Sequence, residues 1–110
     1  MSDRARLLVE AVITALVRRD WETLLANRWI EGSEGFARVL DEYGAAFSPG
    51  PPPVLDDTIH VAQLGPHESR WRIDHALWSE DEGWTDLYAV LFVDERGADV
   101  TAELYDLLVP

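Results

Sequence analysis

The sequence predicts an α+β domain in which about three N-terminal helices pack on one face of a four-stranded antiparallel meander. Three observations predict it. Apolar residues recur at helical spacing as far as Gly44, a proline-rich run (SPGPPP, 48–53) interrupts the chain, and from Thr58 onward the apolar period falls to two. A chain of 110 residues fits one domain, with a helical part at 1–47, a connector at 48–57 and a β-meander at 58–110.

The first helix is expected over 2–17. Ser2 is placed to cap it, and Leu8, Val12 and Leu16, with Ala11 and Ala15 between them, form its apolar stripe. Arg18 and Arg19 suit the negative end of its dipole. Asp20 caps a short second helix carrying Trp21, Leu24 and Leu25. Ser33 caps a third, with Phe36, Val39, Leu40 and Tyr43 inward and Gly44 ending it. The prolines that follow fit neither a helix nor a central strand, so they read as a stiff connector.

Four strands are expected at 58–64, 70–78, 84–93 and 98–107, joined by the short loops GPHES, SEDEG and DERG. Pairing across those loops sets Leu64 opposite Arg70, Trp78 opposite Trp84 and Val93 opposite Ala98. One face then collects Ile59, Val61, Trp71, Ile73, Leu77, Leu87, Ala89, Leu91, Val93, Val100 and Leu104. A one-residue slip would turn any of these strands over, so three hairpins agreeing on one apolar face supports the register.

The opposite face is less ordinary. One row across the strands reads His60, Asp74, Tyr88, Glu103, and its neighbour reads Thr58, Ala76, Asp86, Tyr105. Trp78 and Trp84 meet at one end with Leu107 beside Trp84. Arg72, Val90 and Thr101 form the next row on the other side. Opposed residues have Cβ atoms about 4.5–5.5 Å apart, which would let His60 and Asp74 hydrogen-bond. Acids framed by aromatics suit a partner bearing arginine or lysine, because carboxylates pair its charge and ring faces hold its stem. The candidate binding residues are therefore His60, Asp74, Trp78, Trp84, Asp86, Tyr88, Glu103 and Tyr105. The plain alternative is a solvated sheet face whose acids and aromatics pair with one another.

Charge narrows the partners. The formal net charge is −12, all nine basic residues are arginine, and residues 51–110 carry −10 of that total. Phosphate backbones would be repelled, so nucleic acid is not an expected partner, whereas a basic protein is compatible. No cysteine is present, which removes disulfides and thiol nucleophiles and favours the cytoplasm. No signal peptide or membrane span is read from the sequence.

Catalytic patterns are weaker. His60 with Asp74 is a conceivable base and orienter and Glu103 a second carboxylate, but such cross-strand pairs are more often structural, and no nucleophile motif accompanies them. His60, His67 and His75 lack metal-binding spacing, and neither Asp56-Asp57 nor Glu80-Asp81-Glu82 follows a calcium-loop template. His67 falls in a turn. His75 falls on the apolar face, where it is either a hydrogen-bonded core histidine or the lining of a pocket between helices and sheet. No catalytic residue, metal or cofactor is assigned.

Helices followed by a curved antiparallel sheet resemble the NTF2-like and cystatin-like small α+β folds. The NTF2-like resemblance implies a small molecule held between helices and sheet, with His75, Trp71, Asp86 or Tyr88 as candidates, and dimerisation through the outer sheet face. The usual NTF2-like strand between the helices has no counterpart in this sequence. The segment LWSEDEGWTDL (77–87) is similar to a phrase in short actinobacterial proteins, which brings no activity with it. In bulk the chain also resembles bacterial immunity proteins. The first expectation is a non-catalytic, acidic protein-binding module of the immunity or inhibitor type that uses the acidic–aromatic face. The alternative is an NTF2-like small-molecule-binding protein or enzyme, and a homodimer through the sheet is a third arrangement.

Overall fold

Ser2 starts the first helix of the computed structural model, which describes residues 1–51, 58–65 and 69–110. The Ser2 hydroxyl accepts from the Ala5 amide at 3.2 Å and α1 runs Asp3–Val17. Its buried face comprises Ala5, Val9, Val12, Ile13 and Leu16, with Ala15 and Val17 alongside. The helix is thus turned from the expected stripe. Val12, Ala15 and Leu16 are buried, but Leu8 is half-buried and Ala11 is exposed. The stronger apolar series is i, i+4, i+7, i+8, i+11 from Ala5, which buries two branched residues, Val9 and Ile13, that the expected stripe leaves outside.

Asp20 caps α2 (Trp21–Ala26) through the Thr23 amide. Ser33 stands before α3 (Glu34–Tyr43) without a side-chain capping bond, and Gly44 closes that helix at φ 77°, a left-handed conformation that glycine adopts without a Cβ clash.

The four strands are β1 (Ile59–Gln63), β2 (Arg70–Ser79), β3 (Gly83–Arg96) and β4 (Asp99–Leu108), in the antiparallel order β1-β2-β3-β4. The fold is α+β, three helices followed by a meander, as the change of period implies. All eleven residues expected on the inner face lie in the core or pack against it. α1 lies across β3 and β4 and against α2, while α3 touches β4. No described helix is long and apolar enough to cross a membrane.

The register departs from expectation in three places. β1 pairs with β2 as read, with His60 opposite Asp74. The β2–β3 hairpin starts as read, with Trp78 opposite Trp84, but a bulge between Ala76 and Trp78 then moves Asp74 opposite Val90 and Ala76 opposite Tyr88. A single β2 residue, Leu77, faces Thr85, Asp86 and Leu87 there. The Thr85 hydroxyl bridges the gap, donating to the Leu77 carbonyl at 2.8 Å and accepting from the Leu87 amide at 3.3 Å. The β3–β4 turn is tighter than DERG suggests, since Arg96 pairs with Asp99. A second bulge, between Val90 and Leu91, gives β4 one extra residue, so Leu104 and Leu107 both point into the core. Leu107 therefore does not stand on the outer face beside Trp84. Both shifts keep or restore the buried face, which is why the core was legible while the outer rows were not.

The connector extends the sheet. Phe47 bridges Ser79, the Ser48 amide donates to the Trp78 carbonyl at 3.1 Å, and the Glu80 amide donates to the Ala46 carbonyl at 3.0 Å. At the other end of the sheet Glu95 ties α1 to the strands. Its carboxylate accepts from the Ser2 amide at 2.9 Å, from the Ser2 hydroxyl, and from the Trp71 indole at 3.1 Å. The expected Asp56-Asp57 cluster and the His67 turn lie outside the described residues.

Candidate functional site

The outer sheet face does not assemble the eight expected residues into one constellation. It divides them among five places. His60 and Tyr88 remain neighbours, with ring centroids 6.0 Å apart, but Tyr88 is not opposite Asp74. Asp74 pairs instead with Arg72 on its own strand at 3.0 Å. Asp86 is engaged from a helix, because the Tyr43 hydroxyl donates to it at 2.5 Å, and this bond holds the Tyr43 phenol above its ordinary range. Glu103 pairs across the sheet with Phe92, not with Tyr88. Two of the acids meant for a basic partner are therefore matched within the chain.

Glu103 and Tyr105 sit at the β4 edge. They line a groove of about 470 Å³ with Arg28, Trp29, Glu31 and Phe36. Tyr105 is 61% exposed because the second bulge pushes it outward, and its ring meets Phe92 edge-on at 5.2 Å. Arg70 stacks over that same Phe92 ring.

Trp78 and Trp84 come together as read, edge to face with centroids 5.3 Å apart. They do so at the wall of a half-open cleft of about 240 Å³. Glu10, Ile13 and Thr14 of α1 bound it on one side, Ser48 to Pro51 of the connector on another, and His75, Ala76 and the two tryptophans on the third. The cleft lies where β2 runs on to Ser79 beyond its pairing with β1, which begins at Ile59, toward the Phe47–Ser79 bridge. Past the bulge at Leu77 the hairpin end meets the connector, where Ser48 bonds to Trp78.

His75 is the chemically distinctive residue of this cleft. It is 5% exposed, and its ring stands 6.2 Å from that of Trp84. Nδ1 lies 2.6 Å from the Ala76 carbonyl oxygen. A carbonyl only accepts, so this contact assigns the ring proton to Nδ1 and leaves a lone pair on Nε2. Nε2 has no hydrogen-bond partner among the described residues, and His75 lines the cleft. Burial lowers the His75 pKa below 6.5, opposed by the Ala76 carbonyl and the Glu10 carboxylate, and the ring is neutral at pH 7.

A pH dependence of stability follows. The unfolded chain takes up a proton at His75 near pH 6.5 while the folded chain resists it, so stability falls as pH drops from 7 through 6. Glu95 acts in a lower window. Hydrogen bonds from Ser2 depress its pKa below 4.5, so its contribution is present above that value and is lost as pH falls further. Urea unfolding between pH 7 and 5 should show a declining midpoint in the parent protein and a flatter profile in His75→Gln.

Sequence reasoning placed His75 on the apolar face with a pocket as one of its readings. It did not join it to Trp78 and Trp84, which stood on the opposite face of an unbulged sheet, or to Glu10. No local signal marks the bulge except Thr85, a hydroxyl-bearing residue two positions before the buried Leu87. Among the described residues no group of acids and histidines is arranged to hold a metal ion.

Comparison with curated proteins and with solved structures finds no match for this chain. Its sequence does match a family described as a domain of unknown function, DUF7668, over residues 13–110, which takes in the C-terminal end of α1 from Ile13, the connector and the whole sheet, while Glu10 lies before the matched stretch. The chain belongs to that DUF7668 family.

Proposed function

We propose that this protein binds a small molecule in the cleft between α1, the connector and the hairpin end of β2–β3, without a catalytic role assigned to it. The observation that carries the reading is His75, a buried, neutral imidazole whose Nδ1 is committed to Ala76 and whose Nε2 has no partner among the described residues, in a cleft that two tryptophans also line. The lone pair on Nε2 is an acceptor that a ligand donor would satisfy. Mostly apolar walls with a few placed polar groups are the usual make-up of a ligand site. The volume falls below the range of about 300–1,000 Å³ common for drug-sized ligands, so the ligand is small. The order of helices and sheet agrees with the NTF2-like resemblance, which this proposal carries forward, together with a cytoplasmic setting.

Thermal unfolding against a library of small ring compounds tests this. A binder should raise the melting temperature with concentration by mass action. Trp84→Ala should weaken such a binder about tenfold by removing one ring wall. A library that moves nothing, or binders that ignore both Trp84→Ala and His75→Gln, would refute the proposal.

A second reading keeps the acidic protein-binding module of the immunity or inhibitor type. The exposed Tyr105, beside Glu103, Glu31 and Trp29 in the β4-edge groove, supports it, since this is where acids and aromatics still adjoin. Its partner would be a basic protein segment, and Tyr105→Ala should weaken capture of that segment while leaving cleft ligands unaffected.

A further inference from the structure

We infer that the ligand of the cleft is a small organic cation bearing N–H donors, an amidinium or a protonated amine. This rests on the cleft reading above and adds the chemical class of what is bound.

The charges around the cleft point one way. Glu10 is the charged residue among its described lining, and no arginine joins it. The arginines with recorded partners are engaged elsewhere: Arg72 with Asp74, Arg19 with Asp41, and Arg70 over Phe92. An anionic ligand would meet a carboxylate, no counter-charge, and a chain of net charge −12. A cation meets the reverse.

The hydrogen-bonding inventory agrees. With its proton held on Nδ1 by the Ala76 carbonyl, His75 offers only a lone pair to the cleft through Nε2. The ligand atom facing it must therefore donate, which a carboxylate or an ether cannot do. The Glu10 carboxylate is likewise an acceptor. Two acceptors from different elements, α1 and β2, face one small space, and a head group with two or more N–H bonds can serve both.

The ring walls complete the argument. Indole is the aromatic side chain that holds a cation best, and Trp78 and Trp84 stand edge to face, so one presents its face where the other presents its edge. A planar amidinium can lie against an indole face while its N–H groups reach His75. A volume of about 240 Å³ leaves room for a head group and one ring.

Three ring compounds of matched size separate the possibilities by isothermal titration at pH 7: benzamidinium, benzyl alcohol and benzoate. Benzamidinium is expected to bind about tenfold more tightly than benzyl alcohol, and benzoate is expected not to saturate. Glu10→Gln should weaken benzamidinium about two- to fivefold and leave benzyl alcohol unchanged. Asp99→Asn, at the far end of the β3–β4 hairpin, removes the same unit of charge and should change neither. Benzoate binding as well as benzamidinium would overturn the inference. So would an equal loss in Glu10→Gln and Asp99→Asn, which would mean bulk attraction to an acidic protein. Benzyl alcohol binding as tightly as benzamidinium would remove the cationic class while sparing the cleft. Binding by none of the three would remove the cleft reading, and this inference with it.

Discussion

Gly50→Ala is expected to destabilise the protein by about 1–3 kcal/mol and to weaken cleft ligands at the same time. A Cβ on Gly50 would stand 2.5 Å from both Cβ and Cγ of Trp78 and 2.9 Å from its Cδ2. Real Cβ atoms do not approach so closely, so one partner must move. Trp78 cannot do so cheaply, because its Cβ is fixed to a strand whose backbone is bonded on both sides, to Trp84 across β3 and to Ser48 in the connector. The connector must lift instead. Lifting it strains the Ser48 amide bond to the Trp78 carbonyl and the Phe47–Ser79 bridge, and it carries away the Pro49–Pro51 wall of the cleft. Gly32→Ala is the control, since a Cβ there meets nothing within 4 Å. Urea unfolding of the two variants, with titration of any ligand found by melting, checks both halves of the expectation. An unchanged midpoint in Gly50→Ala would show that the connector is not seated on Trp78.

How far such a result was foreseeable in the sequence depends on which residues are asked about. The helix caps at Ser2, Asp20 and Gly44 and the inner sheet face were legible, because each rests on a local rule. A cap needs one side chain or one φ angle, and a buried face needs only that the alternation of apolar residues be unbroken. The outer face depends on register over three strands, and register accumulates every irregularity between the turn and the residue in question. Two of the three pairs nearest the turns, Trp78 with Trp84 and Leu64 with Arg70, were read correctly, whereas Val93 pairs with Ala102 and not with Ala98. The rows furthest from them were displaced by the bulge at Leu77 and the tight turn at Gly97. His60 with Asp74 survived because no bulge intervenes in the β1–β2 pair. The Tyr43 bond to Asp86 was beyond reach for a different reason, since nothing local states where a helix end meets a strand.

Thr85→Val should lower stability by about 1–3 kcal/mol, an effect out of proportion to the loss of one oxygen atom. Thr85 is buried, and its hydroxyl serves two backbone groups that the bulge has deprived of ladder partners, the Leu77 carbonyl and the Leu87 amide. Valine has nearly the same shape, so it fills the site and leaves both groups unpaired and dry. The cost is desolvation rather than a cavity, which distinguishes it from an ordinary core truncation. Thr85→Ser keeps the hydroxyl and removes a methyl group, so it should recover most of the stability lost by valine. The same bulge adjoins Trp84, which packs beside His75, and slack in it should loosen the ring pair. Near-ultraviolet circular dichroism, which reports the packing of tryptophan rings, should therefore weaken in Thr85→Val and return in Thr85→Ser. If valine proved as stable as threonine with the ring signal intact, the hydroxyl would be dispensable. The bulge would then be held by the packing of Leu77 and Leu87 alone.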